Sequence, residues 1–138
     1  MVMHFTETAP QQSEHVEWIN AFGQFQSFLD AIQQELNEIS HLIDGASRTE
    51  LVLFEEKIQE LRNDMYELSY AVSEHMDEAE TLAFTDNRLD LDFQVVQHIS
   101  LRDRFLALEE DFHALRDAFN IFQSRFREPI DGIPQIFA

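Results

Sequence analysis

Cysteine is absent from the sequence, which excludes a disulfide framework, a thiolate metal centre and a cysteine nucleophile. Glycine and proline are scarce, three residues each, so few positions can break the chain and long uninterrupted elements are expected. No apolar run approaches the ~18 residues of a membrane span. Phosphate-cradling glycine loops and the G-x-S-x-G nucleophile turn are also missing. Residues Met1–Gln12 lack the basic stretch and apolar core of a secretory signal, and a cytoplasmic protein is the expectation.

Positive charge is the other shortage. Nine Lys and Arg stand against 27 Asp and Glu, a formal net charge of −18 on 138 residues. Direct binding to nucleic-acid phosphates or anionic lipid requires clustered bases, so neither is expected. A surplus of this sign favours cations or a basic protein partner. What the chain does have is apolar substance: 44% hydrophobic residues and 13 Phe remove it from the disordered class and, at this length, imply one domain with a real core.

Apolar residues between Ser13 and Arg127 recur at alternating spacings of three and four, the seam of helices packed as in a coiled coil. The seam runs through His15, Trp18, Phe22, Phe25, Leu29, Ile32, Leu36, Ile39 and Ile43. It continues through Leu51, Phe54, Ile58, Leu61, Met65, Leu68, Val72, His75, Ala79 and Leu82. A third stretch holds Leu91, Gln94, His98, Leu101, Phe105, Leu108, Phe112, Leu115, Phe119, Phe122 and Phe126. All these positions are apolar except His15, His75, Gln94 and His98.

The spacing predicts an all-α, antiparallel three-helix bundle with helices over 13–44, 48–84 and 88–128, flanked by tails 1–12 and 129–138. Gly45 suits a left-handed helix end, and Ser47 with Glu50 reads as a capping box for the second helix. Thr85, Asp86 and Asn87 offer caps for the third, and Pro129 closes it. Ile133, Ile136 and Phe137 are candidates to dock the C-terminal tail. Tyr66 and Tyr70 on helix 2, with Ile99 and Leu106 on helix 3, lie outside the seam and suggest either plain surface apolarity or a homodimer.

The three seam histidines are the candidate site. Antiparallel helices rise at the same rate, so reflecting residue numbers through the first turn, at about 45.5, sets His15 opposite about position 76. The same operation through the second turn, at about 86, sets His75 opposite about position 97. All three imidazoles therefore fall in one core layer, at the second-turn end. Such a set suits zinc or another borderline divalent metal, with a fourth position left over. Glu14 and Glu78, beside the seam, are the carboxylates best placed as ligands or outer partners.

The neighbourhood is negative: from Asp64 to Asn87 there are acids but no Lys or Arg. Acids in the last turns of helix 2 oppose the helix dipole, which prefers cations there. Two further readings fit the same layer. One is a neutral hydrogen-bonded polar layer that fixes register, and the other is a layer that splits on protonation.

Two ExxH pairs, Glu38 with His41 and Glu110 with His113, resemble the ligand pairs of ferritin-like di-iron bundles. The heptad register turns them outward, so the resemblance implies no family. The leading expectation is a small acidic, non-enzymatic interaction protein, an adaptor, chaperone or inhibitor that binds a basic partner. Its sharpest form is a nucleic-acid mimic. The alternative is a metal-binding bundle built on His15, His75 and His98.

Overall fold

The computed structural model describes residues 9–82 and 87–126, with side-chain surroundings from residue 12 onward. Three helices account for these residues: α1 (Ala9–Ile39), α2 (Gly45–Thr81) and α3 (Arg88–Gln123). They contain 31, 37 and 36 residues, so each is about 46 to 56 Å long at ~1.5 Å per residue. No strand occurs among the described residues, and none of their helices is long and apolar enough to cross a membrane.

Side-chain pairs fix the directions. Tyr66 donates to Gln26 at 3.1 Å and Arg62 meets Asp30 at 3.2 Å, which runs α2 antiparallel to α1. Arg125, just past the end of α3, meets Glu50 of α2's first turns at 2.9 Å, which reverses the direction again. α1 and α3 are consequently parallel, and the second-turn end of the bundle gathers the start of α1, the end of α2 and the start of α3.

The heptad seam is the core. Every seam position is buried except Phe54, Leu82, Leu91 and Phe126, which are half-buried. At its centre Phe25 stacks on Phe112, with ring centroids 4.1 Å apart and planes 14° from parallel. Removing each such ring from water stabilises the fold by about 1.5–3 kcal/mol. Three residues beside the seam are also buried: Phe28, Glu35 and Gln123. Gln123 donates to Glu35 at 3.2 Å, a polar bridge from α1 to α3 inside an otherwise apolar region.

The helix ends differ from the sequence expectation in ways their hydrogen bonds explain. α1 begins at Ala9, inside the segment expected as a tail, and accommodates a proline in its first turn, where the missing N–H would have had no partner anyway. α1 ends at Ile39, not 44, as Leu42 N–H turns back onto the Ile39 carbonyl at 2.7 Å. Gly45 is not a left-handed helix end. It is the first residue of α2, capped by Asp44, whose carboxylate accepts from the Ala46 and Ser47 amides.

Ser47 is therefore inside the helix, and Glu50 is engaged with Arg125 rather than in a capping box with Ser47. α2 ends at Thr81, three residues short of the expected 84. Asn87 caps α3, accepting from the Leu89 and Asp90 amides. α3 ends at Gln123 because the next turn tightens: Arg125 and Phe126 bond three residues back, not four. Pro129 and the docking candidates Ile133, Ile136 and Phe137 lie outside the described residues.

Candidate metal centre

α1, α2 and α3 each deliver one seam histidine to the same layer. His15, His75 and His98 are 1%, 4% and 1% exposed. Their ring centroids form a near-regular triangle: 5.2 Å from His15 to His75, 4.9 Å from His15 to His98 and 5.5 Å from His75 to His98. One nitrogen from each ring lies within 4.8 Å of the other two. Trp18, one turn further into α1, floors the layer: its ring stacks on His98 at 5.1 Å and sits 5.3 Å from His15.

Hydrogen bonds orient the imidazoles. The Glu14 carboxylate is gripped by Arg102, through Nη2 on Oε1 and through Nε on Oε2 at 2.7 Å. This guanidinium pair pulls the Glu14 pKa down to about 2 against the opposing effect of burial. An ionised carboxylate only accepts, so the 3.1 Å contact from His98 Nε2 to Glu14 Oε1 puts a proton on Nε2. In neutral His98 the other nitrogen, Nδ1, then carries a lone pair toward the centre, where it lies 3.1 Å from His15 Nε2.

His75 follows the same logic more loosely. Its Nδ1 is 3.4 Å from the amide oxygen of Gln97, which accepts a hydrogen bond from Nδ1–H and leaves Nε2 as the lone-pair nitrogen. Partners of this kind, a carboxylate or carbonyl on the outer nitrogen, are those that accompany metal-binding histidines and fix their tautomer.

Electrostatics point the same way. Burial pushes the His15 pKa down to about 4, and proximity to the other two imidazoles adds to the shift. His75 is lowered as well, chiefly by burial. Both are neutral near pH 7, the state a metal requires of its ligands. α2 carries no basic residue in its last turn, which leaves the negative end of its dipole to Asp77, Glu78 and Glu80. A groove of about 200 Å³ opens beside His75, bordered by Glu74, Glu78, Gln97 and Arg104.

The geometry fits a metal closely, though not completely. Tetrahedral zinc with Zn–N bonds of ~2.0–2.1 Å sets its nitrogens about 3.3 Å apart. The His15 and His98 nitrogens at 3.1 Å are already near that separation. The three ligand nitrogens all lie within 4.8 Å of one another, so side-chain shifts of up to about 1.5 Å close the triangle.

The two candidate carboxylates have separate places. Glu14 touches His98 directly, on the nitrogen facing away from the centre. Glu78 is exposed, accepts from Gln94 Nε2 at 3.2 Å, and borders the groove beside His75. Two participants were not visible as such in the sequence, Arg102 and Gln97. The signal for Arg102 was present: it lies four residues after His98, beside the seam, facing the acidic flank of α1. In the ExxH pairs, Glu38, His41 and Glu110 are exposed and His113 is half-buried, all away from the layer.

Fold and site together define an antiparallel three-helix bundle with a buried three-histidine layer at one end. No family model matches the chain, and neither curated proteins nor solved structures yield a match.

Proposed function

We propose that the protein is a metal-binding bundle in which His15, His75 and His98 hold one divalent transition metal, zinc being the best fit. The observation that carries this reading is the convergence of three buried ring nitrogens, one from each helix, within 4.8 Å. An all-imidazole set selects zinc, copper, nickel or cobalt over magnesium and calcium, which prefer oxygen. The three ligands come one from each helix, so the metal would tie the start of α1 to the other two helices.

The test is thermal unfolding with and without zinc, in wild type and in His75→Ala. Zinc at a hundredfold excess over its dissociation constant adds about 2.7 kcal/mol, roughly 8 °C for a chain of this size. The expected result is that this rise is lost in His75→Ala. An equal rise in both proteins would assign the binding to surface carboxylates, and no rise in wild type would remove the reading.

A second reading draws on the outer face of α2, where Glu55, Glu56, Glu60, Glu67, Glu74, Asp77, Glu78 and Glu80 are all exposed. Such a face suits a basic protein partner, and the exposed Tyr66, Tyr70, Ile99 and Leu106 suit a second copy of the chain. A partner of this kind is expected to be captured at low salt and released by moderate salt. Capture that survives high salt would contradict a charge-driven mode.

A further inference from the structure

The layer above the histidines contains a buried group that the three-imidazole set does not use. Gln94 lies four residues before His98 on α3, one turn along the same face, and is 2% exposed. Its Nε2 donates to the Glu78 carboxylate at 3.2 Å. Its Oε1 is buried without a hydrogen-bond partner. A buried acceptor left in this state costs on the order of 1–3 kcal/mol.

Rotating the amide would not relieve it. The exchange would set the amide oxygen against the Glu78 carboxylate, where both groups accept and neither donates. Glu78 therefore holds Gln94 with its oxygen turned away from the solvent edge.

A metal held by three histidines has a fourth position, and the group that most often completes it is a water with two protons to donate. We propose that Gln94 is the positioning residue for that water: its amide oxygen accepts the hydrogen bond of the metal's fourth ligand, and Glu78 fixes the amide for the purpose. This rests on the three-histidine metal reading. It gives the unsatisfied oxygen a partner and accounts for a polar side chain at a seam position where a leucine would otherwise pack.

The test compares wild type with Gln94→Leu, using zinc titration calorimetry for affinity and thermal unfolding without metal for the fold. In the metal-free protein the substitution removes an unsatisfied buried acceptor and leaves Glu78 in solvent, so the unfolding midpoint is expected to stay or rise. Zinc affinity is expected to fall by about 10- to 100-fold, the usual effect of losing an outer partner at a metal site. Glu78→Ala, which frees the amide to turn, should lower affinity in the same direction by less.

Unchanged zinc affinity in Gln94→Leu, with wild type binding normally, overturns the role of Gln94 and leaves the three-histidine site standing. A parallel fall in affinity and in the metal-free midpoint overturns it too, by showing that Gln94 serves the fold. Failure of wild type to bind zinc removes the site and this inference together.

Discussion

At the scale of single residues, the chemistry turns on which proton sits where. Arg102 keeps Glu14 ionised, Glu14 accepts a hydrogen bond from His98 Nε2–H, and His98 Nδ1 is left facing His15. The same shifts set how the metal-free protein responds to acid. His15, with its pKa lowered to about 4, and His75, lowered in the same direction, resist protons that their unfolded counterparts accept near 6.5. The unfolded state therefore binds more protons, and stability falls as pH drops from about 6.5 toward 4.

Glu14, lowered to about 2 from 4.5, contributes stability that is present above 4.5 and lost as pH falls from there toward 2. Unfolding midpoints measured from pH 7 to pH 4 should decline by several degrees in wild type and by clearly less in His15→Phe, which cannot take up that proton. Equal declines in the two proteins would contradict the assignment of His15 as a neutral buried imidazole.

At the scale of elements, the heptad pattern made the seam legible residue by residue, because burial in a helical bundle follows a fixed period. Reflection through the turns was enough to bring His15, His75 and His98 into one layer, since equal rise per residue converts sequence distance into height. Helix ends were less legible. Asp44 and Ser47 are both good caps by residue type, and only the backbone decides which of them starts α2: it is Asp44, which accepts from the amides of Ala46 and Ser47.

Between α1 and α3 the sequence was least informative. Phe28, Glu35 and Gln123 lie just outside the seam, at positions whose burial depends on how closely two helices approach. A pattern of apolar residues cannot report a buried Glu. The pairing of Glu14 with Arg102 was hidden for the same reason: it joins parallel helices that are not neighbours along the chain.

At the scale of the whole molecule, the net charge of −18 resolves into two parts. One is a broad carboxylate surface on α2, and the other is a negative end around the three buried imidazoles. Under the proposal the second part is a metal site, and the surface carboxylates do not bind the metal. X-ray absorption at the zinc edge, on protein loaded with one zinc per chain, separates these most directly. The predicted spectrum has three imidazole nitrogens at ~2.0–2.1 Å with one further light ligand. A shell made of oxygens, without the outer scattering of imidazole rings, would contradict it.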